Sequence, residues 1–333
     1  MRIVSRRGLL ASGAAAVVAT AAGSGVARAA DAHIVMRLGH ALADDHPESA
    51  AFFWLAEEMK KRTNGQVEIQ VFNNAQLGQE RDMAEGTQLG TIDIAKAMSS
   101  VLTGFVPELR LLDMPYLMTS RAQFRHVMTG PVATKLNDEL LPKAGFKGLA
   151  MLDAGVRSVY NNRHPIAAVK DMVGLKLRVP ESQVIVDTFT ALGASPTPMP
   201  VGEIYNALQQ GVIDGAENAP LFVEAMKHYE VAKYFSETDH FLIPDFLIIS
   251  LKSWGRLSPE LQKVLQETCN EMQQWEFAAW DKAESQAVAV LESHGMKFNK
   301  VDIASFRDAV QPVYKKYADK LDASLLKQIQ ETA

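Results

Sequence analysis

The chain has 333 residues, of which 47% are hydrophobic, and a formal net charge of −5; this is long enough to bury two separate cores. An acidic balance excludes a nucleic-acid binder, which depends on many cationic contacts to phosphate. The single cysteine, Cys269, excludes an intramolecular disulfide and is expected to be a small buried hydrophobe.

Residues 1–29 read as a targeting segment that directs export to the periplasm. Ser5-Arg6-Arg7-Gly8-Leu9-Leu10 is a twin-arginine type start, and Ala27-Arg28-Ala29 is an A-x-A cleavage site. The Ala- and Gly-rich run between them is too weakly apolar for a convincing membrane span, and an uncleaved anchor is the alternative. Without its four arginines the mature chain, starting near Ala30, carries 30 basic against 39 acidic residues, a formal charge of −9. Such a surface repels an anionic solute at long range, with screening beyond roughly 10 Å. Capture of an anion therefore rests on a few convergent local cations.

Val35 to His40 reads as a strand, followed by a loop to Pro47 and an amphipathic helix with Phe52, Leu55, Ala56 and Met59 on one face. Asn64-Gly65 ends that helix, and Val67 to Phe72 alternates as the next strand, giving a βαβ opening. His40, Asp44, Asp45 and His46 sit in the first loop without recognisable metal-ligand spacing, so neither a metal nor another cofactor is expected. Asn73 to Glu80 enters a helix ending near Gly90, and Thr91 to Lys96 is the third strand. Leu111 to Leu117 reads as a crossing segment, Arg121 to Leu140 as a helix, and Phe146 to Leu152 as a strand left through a glycine turn at Ala154-Gly155-Val156-Arg157.

The stretch from Gly174 to Pro220 concentrates the chemistry. Leu175-Lys176-Leu177-Arg178-Val179 alternates as a half-buried strand and Pro180 stops its ladder, which holds Arg178 at a carboxyl end. Residues 203–210 form a short helix with Ile204, Ala207 and Leu208 inward, Gly211 caps it, and Val212-Ile213-Asp214 starts a strand from whose end Asn218 emerges. Gln88-Leu89-Gly90-Thr91-Ile92-Asp93 repeats the device of Gln209-Gln210-Gly211-Val212-Ile213-Asp214. Lys96 to Ser99 and Ala216 to Asn218 are then corresponding strand ends facing a common cleft, where α/β sheets bind ligands. There the Arg178 fork suits a carboxylate, with Arg157 at a neighbouring strand end and the Asn218 amide completing a clamp. The alternatives are a solvated or salt-bridged Arg178, and an Arg157 paired with Asp153 or Glu181.

Beyond it, MKHYEVAKYFSETDH reads as a helix leading to a hinge-crossing strand, and Phe246 to Leu251 as a buried strand. Ser258 and Pro259 start a helical run to Ser293, in which Trp275 and Trp280 read as packing residues. A short strand at Met296 to Phe298 and two helices complete the chain. No G-x-S-x-G elbow, P-loop or local Cys-His signature marks an enzyme.

GLKLRVP, ALGASPTPMP, GEIYNALQQGVIDGAEN and HYEVAKYFSETDH, in this order, resemble the periplasmic solute-binding proteins of TRAP transporters, the DctP family; the similarity runs from about Val35 to the C-terminal helices. The resemblance implies an α/β, two-lobed periplasmic-binding-protein fold with a hinge and a long lobe-spanning helix. Lobe I is expected from residues 30–154 plus about 241–283, and lobe II from 155–240 plus about 284–333. The implied role is that of a monomeric receptor, not an enzyme, which captures a small carboxylated solute and delivers it to membrane permease subunits. It gives Arg178 the carboxylate salt bridge, matches Arg157 and Asn218 to the same clamp, and places Glu80, Glu181, Lys96, Met98 and Val201 at variable pocket positions; His40 and Glu217 complete the candidate set. Val201 departs from a commoner bulky aromatic, and Ala219 intervenes before Pro220. Glu80 and Glu181 as hydroxyl acceptors favour a sugar acid such as a uronate or aldonate. A C4-dicarboxylate, a 2-oxo or 2-hydroxy acid, a ligand sensor for a membrane receptor and, less favoured, a periplasmic enzyme are the alternatives.

Overall fold

Two mixed sheets organise the chain in the computed structural model, which describes residues 33–332; the targeting segment expected at 1–29 lies outside them. The first sheet contains β1 (Ile34–Gly39), β2 (Val67–Phe72), β3 (Ile94–Met98), β4 (Phe146–Leu152) and β10 (Asp245–Ser250), in the order β2-β1-β3-β10-β4. The second contains β5 (Val156–Asn161), β6 (Lys176–Val179), β7 (Ser195–Pro198), β8 (Gly215–Asn218), β9 (Tyr234–Leu242) and β11 (Lys297–Lys300), in the order β11-β9-β5-β8-β6-β7. Each sheet carries one lobe.

The opening forms as its apolar spacing dictates. In helix α1 (Pro47–Arg62) Phe52, Leu55 and Met59 are fully buried, and they pack with Leu38 of β1 and Val67 of β2. The same core takes in Leu265, Cys269 and Met272 from a single 35-residue helix, Pro259–Ser293. Ser258 caps that helix by accepting from the Leu261 N–H at 3.3 Å, with Pro259 at its first position. Further along, Trp280 and Ala287 pack on Ala219 and Leu221, and Leu291 joins the core of the second sheet. One helix thus buries its flank against both lobes.

The chain also crosses twice between the sheets, at Asp153-Ala154-Gly155 after β4 and at Ile243-Pro244 before β10. Gly155 lies at φ +74°, and a β-carbon there would stand 2.6 Å from Ala219 Cβ and 2.9 Å from Trp280 Cζ2. Neither the conformation nor the space admits a larger residue. Asp153 receives the Gly155 N–H at 2.9 Å, while Glu276 of the long helix receives the Asp153 N–H at 3.2 Å.

The two Gly-x-Ile-Asp segments behave as copies, but the strands start later than expected, at Ile94 and Gly215 rather than at Thr91 and Val212. Asp93 accepts from the Arg37 N–H at 2.8 Å, and Asp214 from the Lys176 N–H at 2.9 Å. Each carboxylate holds the entrance to its strand against the neighbouring parallel strand, so the dipeptide is a turn and not a ladder rung. The helix expected over Arg121 to Leu140 is broken: Arg121–Thr129 ends at Gly130, and Pro131, lacking an N–H, starts a new turn. Leu111 to Leu117 begins inside a 3₁₀ helix, Pro107–Asp113. In MKHYEVAKYFSETDH the expected helix is only the short turn His228–Glu230, the preceding helix Pro220–Ala225 ending before the stretch, and its second half from Tyr234 enters the nine-residue β9. The C-terminal region has three short helices where two were expected, Ile303–Ala309, Gln311–Tyr317 and Ala323–Glu331.

Asp113 ties the two lobes together. Its fully buried carboxylate accepts from Ser100 Oγ at 2.7 Å, just after β3, and from Ser182 Oγ at 2.5 Å, just after β6. Burial outweighs those hydroxyls and raises its pKa from 3.8 to about 6. A raised carboxyl pKa means that folding takes up a proton between these values, so its contribution to stability grows as pH falls through about 6. Urea unfolding of the wild type and Asp113→Asn should therefore diverge in favour of the wild type, by about 2 kcal/mol between pH 7 and pH 4.5. A difference that stays flat with pH would contradict this titration.

Candidate functional site

Because β5 runs antiparallel to β8 while β6 runs parallel to it, Arg157 at the start of β5, Asn218 at the end of β8 and Arg178 near the end of β6 share one edge of the second sheet. They are not on neighbouring strands, as the sequence suggested: β8 lies between the two arginines. In the first sheet the matching edge carries Met98 opposite Asp245 and, two residues in, Lys96 opposite Leu247. The two edges face each other across a cavity.

Of the candidate residues, Arg178, Arg157, Asn218, Glu80, Glu181, Lys96, Met98 and Val201 line this cavity. His40 and Glu217 do not. His40 is fully buried behind the wall with its ring 5.1 Å from Phe52, and burial lowers its pKa to about 3, leaving it neutral. Glu217 is fully buried because it is the partner of Arg157: Arg157 Nε and Nη2 donate to its two carboxylate oxygens at 2.7 and 2.6 Å. Arg157 therefore pairs with neither Asp153 nor Glu181. Its Nη1 donates to Asn218 Oδ1 at 3.2 Å, which orients the amide at the cavity.

Lys96 is not a free cation either. Its ammonium is 2.7 Å from Glu80 and 2.6 Å from Asp245. Burial alone would favour loss of its proton, but these carboxylates outweigh burial and raise its pKa. Glu80 also accepts from the Met98 N–H at 3.3 Å, so one helix N-terminus and two strands are cross-linked in the wall.

Arg178 differs from both. It is 3% exposed, its Nε donates to the Met199 carbonyl at 2.9 Å, and it has no ion-pair partner among the described residues. Burial draws its pKa down to about 10, and the Arg157 charge pulls the same way against Glu217.

Sequence reasoning missed Glu48, Asp245 and Trp280, which also line the cavity. Trp280, taken as packing, does pack, but its edge reaches the cavity wall. A signal existed for Asp245: an acid directly before the apolar run Phe246 to Leu251 starts a strand at the cleft edge. Nothing in the local sequence marks Glu48, in the first turn of α1, or Trp280, on the long helix where it lies across the crossing.

Residues 38–320 match the family of bacterial extracellular solute-binding proteins, family 7 (DctP). Among solved structures, a TRAP periplasmic solute-binding protein from Bradyrhizobium with bound α/β-D-galacturonate is 34% identical, at TM-score 0.86, over 89% of this chain and 99% of that one. Another from Anaerococcus prevotii, with bound α/β-D-glucuronate, is 33% identical at TM-score 0.87, over 90% and 98%. The sialic acid-binding periplasmic protein SiaP of Vibrio cholerae is 29% identical over 83% of this chain and 85% of its own. With most of its length matched and its two-lobed fold shared, the chain belongs to the DctP family of TRAP solute-binding proteins, a family of receptors rather than of enzymes.

Proposed function

We propose that this chain is the periplasmic receptor of a TRAP system, gripping a solute by its carboxylate on Arg178 and delivering it to the membrane permease. One observation carries the reading: Arg178 is a buried guanidinium at an interlobe cavity with no ion-pair partner among the described residues. A buried charge without a partner is costly, and a planar donor fork matches the two oxygens of a carboxylate. Arg157, neutralised by Glu217, serves the clamp by position and by orienting Asn218.

The solute we infer is a sugar acid, a uronate or an aldonate. Support comes from the uronates bound in the relatives above and from Glu80 and Glu181, acceptors for hydroxyls at the cavity wall. Lobes at residues 30–154 plus about 241–283, and 155–240 plus about 284–333, are part of the same proposal. In favour of those bounds, the crossings at Asp153-Ala154-Gly155 and Ile243-Pro244 fall within a few residues of them. Ligand contacts made from both sides would then drive closure about these crossings. Export through the segment at 1–29 and action as a monomer complete the reading.

A thermal-shift screen tests it. A solute that binds only the folded protein stabilises it by about 4 kcal/mol at a thousand times its Kd. D-Galacturonate, D-glucuronate or D-gluconate should raise Tm well above succinate and pyruvate. A screen led by succinate would replace the sugar-acid assignment, and one in which no carboxylate acts would remove the receptor reading itself.

A further inference from the structure

We infer that the cavity wall formed by the first sheet and the long helix is a subsite for an uncharged, hydroxylated end of the solute. Trp280 Nε1 is its donor, and the Glu48 and Asp245 carboxyls are its polar floor. The subsite selects hydroxylated monocarboxylates against dicarboxylates. This rests on the carboxylate reading of Arg178 given above.

Trp280 is 1% exposed and lines the cavity, and its Nε1 has no hydrogen-bond partner among the described residues. Indole is a donor only, and a buried donor left unpaired is costly. Beside it stands His46, ring centroid 5.4 Å away, kept neutral by burial and so offering no charge to an anion. Glu48 and Asp245 each keep one buried oxygen without a donor. Burial first, and then the Asp245 charge in the case of Glu48, pushes these carboxyls up.

The charge count of the wall decides the ligand class. Glu48, Glu80 and Asp245 face the Lys96 ammonium, with the buried Glu276 on the long helix; Arg81, the other cation lining this side, is engaged by Glu85 at 3.2 Å. Even with one proton shared between Glu48 and Asp245, the three carboxyls outnumber the Lys96 ammonium by one negative charge. A second solute carboxylate would bring only acceptors and a like charge. A hydroxyl accepts from the indole and donates to a carboxyl oxygen, so it satisfies either kind of group.

The experiment compares D-galacturonate and D-gluconate with hexanoate, which lacks hydroxyls, and with the dicarboxylate adipate, by calorimetric titration of wild type and Trp280→Phe. The variant keeps an aromatic side chain but loses the indole N–H along with part of the fused ring, so hexanoate controls for the lost packing and the Tm of the solute-free protein confirms its folding. Expected are wild-type affinities that place the hydroxylated monocarboxylates first, and a loss of about tenfold for them in Trp280→Phe with less than a twofold change for hexanoate. Adipate or hexanoate binding as tightly as the best hydroxylated acid overturns the subsite while leaving the Arg178 clamp standing. So does Trp280→Phe binding the hydroxylated acids within twofold of wild type. Absence of binding by all four overturns both.

Discussion

Arg178→Ala is expected to weaken solute binding by about 2–5 kcal/mol, the usual cost of truncating one partner of a buried charge pair, or about 30-fold to a few thousand-fold in Kd. The same substitution should leave the solute-free protein as stable as before or slightly more so. Arg178 contributes one hydrogen bond, to Met199, and otherwise represents a desolvated cation without an anionic partner among the described residues. Removing it relieves that desolvation, which offsets the packing lost with its methylenes. Arg178→Lys should recover little affinity, because an ammonium keeps the charge but lacks the planar fork. Calorimetry on the strongest solute of the thermal screen, with Tm of the solute-free variants, reads both quantities. Undiminished affinity in Arg178→Ala would remove the carboxylate clamp, and a large fall in solute-free Tm would make Arg178 a structural residue.

What the sequence made legible follows from how local each feature is. β2 and β4 could be bounded to the residue because their alternation or apolar run starts and stops with the strand itself. Ser258-Pro259 announces the long helix by its own capping chemistry. The strand entrances at Asp93 and Asp214 were misplaced because their carboxylates bond backbone in another strand, an interaction absent from the local pattern. The site divides in the same way. Arg178 was visible as a cation stranded at a strand end by Pro180, whereas Glu217 looked like a second ligand contact on the strand of Asn218. A strand alternates its faces, and Glu217 turns to Arg157 while Asn218 reaches the cavity. Trp280 and Glu48 come to the cavity from a helix and a helix start distant in sequence, and only tertiary packing brings them there.

Glu217→Gln is expected to cost about 3–5 kcal/mol of folding stability, the loss found when one member of a buried pair is removed and the other stays charged. The pair is bidentate, with Arg157 Nε and Nη2 on the two carboxylate oxygens at 2.7 and 2.6 Å, and His240 Nε2 lies 3.2 Å from one of them. Burial pushes the Glu217 carboxyl up, but Arg157 and then His240 outweigh it and hold the pKa at about 2, against 4.5 in an ordinary glutamate. A depressed carboxyl pKa gives stability that is complete above about 4.5 and fades as pH falls toward 2. The shift amounts to on the order of 3 kcal/mol at neutral pH, in line with the cost of removing the charge. Glutamine keeps the shape but presents one oxygen where two were used, and it leaves the Arg157 guanidinium buried among strands. Removing both partners, as in Arg157→Leu with Glu217→Gln, should therefore cost less than the two single losses added together, because no charge is then stranded. Urea unfolding of the four solute-free proteins at pH 7 measures this coupling. If Glu217→Gln unfolds within 1 kcal/mol of wild type, or the double variant is strictly additive, the pair is not what fixes Arg157 and Asn218 at the cavity, and the clamp must be held by the sheet backbone alone.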